Sequence, residues 1–520
     1  MNDRGKKQIV VHDDYYNLLA DAPGTENPQV LAEAARTLLL SKADIISVSA
    51  AEPEICHYPT DAGESDVGLR QRLWGKTESG KTAPLSGTDP FHTVVEALRE
   101  GGCTPLAKLR VNDSHHLARS EMMTEMRSKF WTDHPQWWIG NVEGYAGGEK
   151  TKFEGSPCVA PRARFCLADS RPFLLDYAVP EVRRHRLAIV KEFMERYDVD
   201  GLTLNFIRDE YCLSFPSRNA PLLTEFVAGC REILDEAAGK RGKSQPILGA
   251  IVPWDPNYCR VMGMEVEEWV RRGLLDYISP SPSYVTEFNM PVEPWVRMAS
   301  STRCAVYPCI TGLSSCHHDV CLPQEYEPQR ETQPRLSKVT HENVCALAHG
   351  FYAEGADGVS FFNLYSRYYQ NLFPLDDIAL PERIKRKQRR YIYIKGVPLY
   401  RECTFLQLVL APGLWERKAV KCRLHENLSQ ADARVRFKAR HLACLEALCV
   451  DVNGREIPPD RLSLVPHDGE GFLYVEFQLE DGMLREGDNE IGFAFRENSD
   501  CVFTCTVTII QEVEIRVVPR

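Results

Sequence analysis

A chain of 520 residues with 43% apolar and 26% charged content can bury one large core and a smaller second one. Its formal net charge of -11 excludes nucleic acid as the expected partner, because a polyanion binder needs surplus Lys and Arg to release counterions. No apolar run approaches the roughly 20 residues that span a bilayer, and the start MNDRGKKQIVV has no long apolar stretch, so a cytoplasmic protein without membrane contact is expected.

Strand-like runs recur along the first three quarters of the chain. They are QIVVHDD (8–14), ADIISVSAAEP (43–53), PLAKLRVNDSHH (105–116), DGLTLNFIRDE (200–210), ILGAIVPWDP (247–256), DYISPSPSY (276–284), RCAVYPCI (303–310) and DGVSFFNLY (357–365). Helical periodicity separates several of them. In PEVRRHRLAIVKEFMERY, Leu187, Val190, Phe193, Met194 and Tyr197 share one face, with Arg183, Arg184, Arg186 and Glu192 largely off it. PLLTEFVAGCREILDEAA repeats the pattern, and EVEEWVRRGLLDY runs through Gly273 into a strand. Strand, helix, strand in this order builds right-handed βαβ units, and eight strands close a parallel barrel. The predicted fold class is α/β, a (β/α)8 TIM barrel over 1–395 followed by a C-terminal antiparallel β-sandwich over 396–520.

Near residue 390 the pattern changes. The run from Arg383 to Arg390 is expected as the solvated face of the final barrel helix. Beyond it lie short β-rich runs and turn signals, including Asn453-Gly454, a two-residue hairpin signal. The 18 cysteines lack a repeated short spacing and read as buried small side chains in a reducing compartment. Cys304, Cys309, Cys316 and Cys321, with His317 and His318, form one local cluster, but neither C-x2-C nor H-x3-5-H spacing is present, so no metal is assigned there.

In such a barrel the chemistry gathers at the C-terminal ends of the strands. On the third strand Lys108, Arg110 and Asn112 alternate with Leu109 and Val111, so the polar set faces the axis, with Asp113, His115 and His116 at the tip. The first strand ends in His12, Asp13 and Asp14, the fourth in Asn205, Arg208, Asp209 and Glu210, the fifth in Trp254 and Asp255, and the eighth in Asn363 and Tyr365. The connection after the third strand, about 114–175, is far longer than the usual two to six residues and carries Trp131, Trp137 and Trp138. It is expected to cover the mouth. Trp131 either lines a cleft, stacking on a sugar ring, or staples the loop to the barrel.

The segments EMRSKFWTDHPQWWIG, LDYAVPEVRRHRLAIVKEFMERYDVDGLTLNFIRDEY and GADGVSFFNLY resemble bacterial glycoside hydrolase-like (β/α)8 proteins of the family 10 glycosyl hydrolase-like group. The resemblance implies a hydrolase acting on glycosidic bonds, with a carbohydrate as partner, no cofactor, and an accessory β-domain. Thr203 and Asn205 depart from it, standing where the group carries Glu and Asp. A glycosidase needs two carboxyl groups at the scissile bond. The candidates are Asp209 first, then Glu287, Asp255 and Asp113, with His12, Asp14, Arg110, Asn112, His115, Trp131, Asn205, Arg208, Trp254 and Asn363 as substrate-binding residues. Two alternatives stay open. One is a metal-dependent hydrolase using His12, Asp13, Asp113, His115 and His116; the other is a carbohydrate-binding protein without turnover. A homo-oligomer is compatible with the composition.

Overall fold

Branched and aromatic residues dominate the strands, and each strand is short, as a barrel with both faces buried requires. The protein is seen here in a computed structural model that describes residues 5–15, 28–65, 89–113, 128–140, 173–242, 245–282, 285–315, 336–364, 374–393, 395–398, 403–405, 408–414, 416–442, 444–466, 471–496 and 507–520. Its barrel strands are β1 (Gln8–Asp13), β2 (Ile45–Glu52), β3 (Thr104–Arg110), β4 (Gly201–Asn205), β5 (Ile247–Pro253), β6 (Tyr277–Ser281), β7 (Ala305–Val306 continued by Cys309–Thr311) and β8 (Gly358–Phe362).

All neighbouring pairs are parallel, and the ring closes by β8 against β1, with Gln8 opposite Gly358 and His12 opposite Phe362. Closure passes through a change of partner inside β7. Ala305 and Val306 pair with β6, whereas Cys309, Ile310 and Thr311 pair with β8. Pro308, which has no N–H, sits between the two pieces. The eight-stranded barrel expected from the sequence is therefore observed.

Helices cover the outside. They include α1 (Pro28–Leu38), α2 (Pro90–Glu100), α3 (Pro180–Arg196), α4 (Pro216–Arg241), α5 (Pro256–Val261), α6 (Val266–Arg271), α7 (Glu293–Ala299) and α8 (His341–Ala353). On α3, Val190, Phe193 and Met194 of the expected apolar face are buried and Leu187 partly so, and Ile189, outside that expectation, is buried with them. Arg186 departs from that pattern. It is fully buried, and its guanidinium meets Glu54 and the Tyr177 hydroxyl. A helical wheel ranks Arg as solvent-facing and cannot see a carboxylate delivered from the loop after β2.

Inside the barrel the strand alternation sorts side chains into layers. Val10, Ile45, Leu106, Tyr277 and Tyr307 form an apolar plug at the N-terminal end, with Ile247 and Ala305 against it. One step higher the inward residues are polar. The Ser47 hydroxyl donates to Thr203 Oγ1 at 2.8 Å, the Thr203 and Tyr277 hydroxyls lie 2.6 Å apart, and His12 Nε2 is 3.4 Å from Ser279 Oγ. Tyr277 reaches the axis because Gly249 on β5 leaves room, since a Cβ there would fall 1.9 Å from the ring.

Beyond the barrel two antiparallel sheets pack face to face. One holds β9 (Arg389–Tyr393) with Thr508–Pro519, Ala431–Arg440, Phe472–Leu479 and Ser463–Val465; the other holds β10 (Lys418–Leu424) with Gly487–Phe495, Leu448–Val452 and Arg455–Ile457. Phe437 of one and Phe493 of the other meet edge to face at 5.0 Å. Asn453 and Gly454, both with positive φ, form the predicted hairpin turn between Val452 and Arg455. The basic run differs from expectation. Only Pro381–Ile384 is helical, and Arg389 and Arg390 are buried in β9, paired with Glu426 and Glu514. The C-terminal sheet thus takes its first strand from residues ahead of the expected junction at 395/396.

Gly249→Ala is expected to destabilise the barrel by roughly 1–3 kcal/mol, the usual cost of overpacking, because Tyr277 is held by Thr203 and cannot swing clear. Urea unfolding checks this, and an unchanged midpoint would show that the Tyr277 ring does not occupy the space over Gly249.

Candidate functional site at the strand ends

Asp14 is the first residue past β1, and its carboxylate lies where the inward residues of β3 converge. Lys108 Nζ donates to Asp14 Oδ1 at 2.9 Å, and an Arg110 terminal nitrogen lies 2.8 Å from Asp14 Oδ2. Lys108 and Arg110 are two residues apart on one strand, so the period of two aims both at the axis, as the sequence predicted. Arg110 also meets Glu52 at 3.0 Å and Asp113 at 2.5 Å.

Asn363, just past β8, holds Asp14 from the other side. Its amide nitrogen donates to Asp14 Oδ2 at 2.9 Å, and its carbonyl accepts the Asp14 backbone N–H at 3.0 Å. It does so with φ +56, in the left-handed region that Asn tolerates better than most residues. Such geometry persists where the surroundings enforce it.

Burial alone would raise the Asp14 pKa, but Arg110, Lys108 and Arg208 outweigh it and hold the carboxyl well below its ordinary value. Arg110 is driven up by Asp14, Glu52 and Asp113 despite its own desolvation. Burial pulls the Lys108 ammonium down, with Asp14 opposing the shift, and its charge lies 4.8 Å above the Phe362 ring. His12 is fully buried, and both desolvation and Lys108 depress it well below 6.5, which leaves a neutral imidazole.

Around this charged cluster are polar atoms with hydrogen-bonding capacity unused. Thr203 points inward, so Asn205, two residues on, does too. Its Oδ1 accepts the Ile207 N–H at 3.0 Å, but its fully buried Nδ2 has no partner among the described residues. The Ser49 hydroxyl and His12 Nδ1 are likewise buried without a hydrogen bond among the described residues. Each such group costs about 1–3 kcal/mol if nothing completes it. Three of them, on β1, β2 and β4 of the same stretch of wall, mark a place where a ligand's hydroxyls or water would bond.

The remaining sequence candidates divide. Arg208, Asp209 and Glu210 follow β4 and are buried, with Arg208 close enough to bear on Asp14 and the Tyr258 hydroxyl donating to Glu210 Oε1 at 2.8 Å. Asn112 spends both amide hydrogens on the carbonyls of Leu175 and Tyr211, so it ties loops together. Asp113 is engaged by Arg110. Asp255 is the N-cap of α5, accepting from the Asn257 N–H, and Trp254 is half-buried with its carbonyl taken by Trp295. Glu287 accepts the Asn289 N–H at 2.9 Å in the loop after β6.

Trp131 corrects the cleft expectation. It is 4% exposed, stacks on Trp138 at 4.5 Å, and donates its indole N–H to the Phe173 carbonyl, so it staples the loop. Most of the long connection, His115 and His116 with it, lies outside the described residues, as do Tyr365, Cys316, His317, His318 and Cys321. Among the described residues no group of three or more His, Cys, Asp or Glu could hold a metal ion. No helix among them is long and apolar enough to cross a membrane.

Glu52 and Ser49 were not anticipated. A register shift between Ser49 and Ala51 breaks the alternation of β2. Simple period-two reading past that point therefore assigns the wrong face, and a lone Ser on a barrel strand carries no signal of its own.

Neither a known family's sequence pattern nor a curated protein matches the chain. Solved structures are similar to it at low identity. The glycoside hydrolase domain of PgaB (BpsB) from Bordetella bronchiseptica is 11% identical, with 72% of this chain and 99% of that one covered at a TM-score of 0.39. Alpha-L-fucosidase isoenzyme 2 from Paenibacillus thiaminolyticus is 11% identical, covering 74% and 51% at 0.38. A noncanonic maltogenic alpha-amylase, AmyB, from Thermotoga neapolitana is 10% identical, covering 95% and 100% at 0.34. Likeness of this degree assigns no activity, and the chemistry rests on the residues at the strand ends.

Four described histidines, His12, His185, His341 and His349, have folded pKa values below 6.5, each first through burial, and His185 falls to about 4. The unfolded chain then binds more protons below about pH 6.5, so stability falls as pH drops through that value. Thermal melts are expected to show a lower Tm at pH 5 than at pH 7, and a smaller difference in His12→Gln and in His185→Gln. Equal pH dependence in the parent and both variants would show that these imidazoles are not buried.

Proposed function

We propose that the protein hydrolyses glycosidic bonds at the C-terminal mouth of its barrel, within a barrel domain to which the C-terminal sandwich is an accessory. The observation that supports this reading is the set of buried, inward-facing groups with spare hydrogen-bonding capacity, Asn205 Nδ2, Ser49 Oγ and His12 Nδ1, beside an ionised Asp14. A hydroxyl-rich ring satisfies donors and acceptors of this kind together, and a buried polar group that finds its partner only in the ligand gives strong discrimination.

Two carboxyl groups are required. Asp209 is assigned the first, as a buried carboxyl on the segment that leaves β4 just past Asn205. Glu287 and Asp255 fit the second role poorly, since one fixes a loop turn and the other caps α5. Glu210, adjacent to Asp209 and bonded by Tyr258, replaces them as the proposed general acid. Asp14 is assigned to binding a substrate hydroxyl, because three donors already hold its carboxylate ionised.

A second reading is carbohydrate binding without turnover. It is favoured by Thr203 and Asn205, which face the axis as a neutral hydroxyl and amide and cannot ionise as acids would.

One experiment separates the two. The purified chain is incubated with a broad panel of labelled oligosaccharides, following both retention and cleavage. Hydrolysis is expected, with Asp209→Asn and Glu210→Gln each lowering turnover by about 10²–10⁴-fold while circular dichroism stays at the parental spectrum. Binding with no cleavage supports the second reading, and neither binding nor cleavage rejects both. Asp14→Asn is a different case. It leaves Lys108 and Arg110 buried with one anion fewer, so it is expected to lower stability by about 3–5 kcal/mol, measured by denaturant unfolding.

A further inference from the structure

The loop after β6 spans from the barrel mouth to the C-terminal sandwich in four residues, and each end is fastened by a side chain that imitates a strand partner. At the barrel end, the Thr286 hydroxyl accepts the Thr311 N–H at 3.2 Å and donates to the Thr311 carbonyl at 3.0 Å. Thr311 is the last residue of β7, on the rim. At the sandwich end, the Asn289 amide accepts the Arg423 N–H at 2.8 Å and donates to the Lys421 carbonyl at 2.9 Å.

Lys421 and Arg423 are two apart on β10, which stands at the edge of its sheet. An edge strand offers a row of N–H and C=O groups to a partner. A carboxamide bonding to the C=O of residue i and the N–H of residue i+2 on one edge takes the place of the N–H and C=O of a single residue on an adjoining parallel strand. Between the two anchors, Glu287 accepts the Asn289 N–H at 2.9 Å, which shortens and stiffens the span. Phe288 adds a packed contact, its ring lying 6.4 Å from Tyr391 and 6.3 Å from Tyr393 of β9.

The same junction is braced lower down. Glu354, past the end of α8, binds Arg423 at 2.6 Å and His425 at 3.0 Å and also accepts the backbone N–H of Val292 at 2.7 Å. The residue that carries the rim loop into α7 and the strand edge that Asn289 caps are therefore held by one carboxylate.

We infer that Asn289 is a positioning residue, through which the edge of the C-terminal sandwich sets the rim of the barrel at β7. The inference rests on the reading of that rim as the working end of the barrel, and assigns the sandwich a part in shaping it. Glu287 then serves as the stiffener of this strut. Two short bonded ends with a turn between them transmit a displacement, whereas an unbraced loop of the same length would absorb it.

The test is amide hydrogen exchange, resolved at single residues, on the full chain and on Asn289→Ala and Thr286→Val, with thermal melts to confirm that each variant folds. Asn289→Ala removes both bonds to β10. It is expected to speed exchange at Arg423 and also at Thr311, at the far end, by about tenfold or more, while amides in β3 and β4 keep their rates. Thr286→Val is expected to speed Thr311 and leave Arg423 unchanged. Faster exchange at Arg423 alone in Asn289→Ala overturns the inference, because the strut then carries nothing to the rim; no change at either residue overturns it too. None of these outcomes depends on turnover. Coupled exchange in a chain that cleaves no oligosaccharide would reject the hydrolase reading and leave the strut standing.

Discussion

Asp14 meets Lys108 and Arg110 at a depth where an isolated carboxylate or ammonium would be driven toward its neutral form and an isolated guanidinium would be buried at full cost. Removing an ion from water costs several kcal/mol even after relaxation, and the mutual attraction offsets that only when the remaining hydrogen-bonding positions are filled. Asn363 fills one of them and also takes up the Asp14 backbone N–H, and Glu52 and Asp113 balance the second cation. The elements that contribute these groups are β1, β2, β3 and the turn past β8, so the ion cluster also joins the seam of the barrel to the strands beside it. It sits on an apolar plug, and that order matters. The plug closes the lower end mainly with aliphatic and aromatic carbon, and its Tyr277 hydroxyl turns up to Thr203, so most inward hydrogen-bonding groups lie in the upper layers, where the strand ends and their loops can complete them.

Much of this was legible in the residues. Alternation along β3 aimed Lys108 and Arg110 at the axis, the helix periods around Phe193 and Phe226 gave the outer layer, and Asn453-Gly454 marked a hairpin; all three depend on local geometry alone. What was not legible depended on groups far apart in the chain. Arg186 reads as solvent-facing until Glu54 arrives from another loop, and Arg389 and Arg390 read as a solvated helix until Glu426 and Glu514 neutralise them in a strand. Trp131 was poised between two roles, and its burial, its stacking on Trp138 and its bond to the Phe173 carbonyl favour the staple.

The candidate acids show the same division from the other side. Asp255, Asp113 and Glu287 stand at loop positions where a carboxylate can take part in chemistry or can satisfy backbone and guanidinium donors, and sequence does not distinguish the two. Asp255 precedes Pro256 at a helix start, a pattern that in hindsight favours a cap. Glu52 was hidden for a different reason, since a bulge in β2 reverses the face on which its side chain emerges.

The broken seventh strand has a mechanical consequence. Along most of the ring each strand is clamped on both sides over its length, so hoop tension spreads across many ladder bonds. At β7 the load passes from one neighbour to the other across Tyr307 and Pro308, where bonds from Tyr307 N–H to the Ile278 carbonyl, from the Ser360 hydroxyl to the Tyr307 carbonyl and from Ser360 N–H to the Pro308 carbonyl bracket the joint. A ring with one joint changes its girth there first. Widening of the mouth would therefore be lopsided, opening between the sixth and eighth strands while the wall that carries Asp14, Arg110 and Asn205 keeps its curvature.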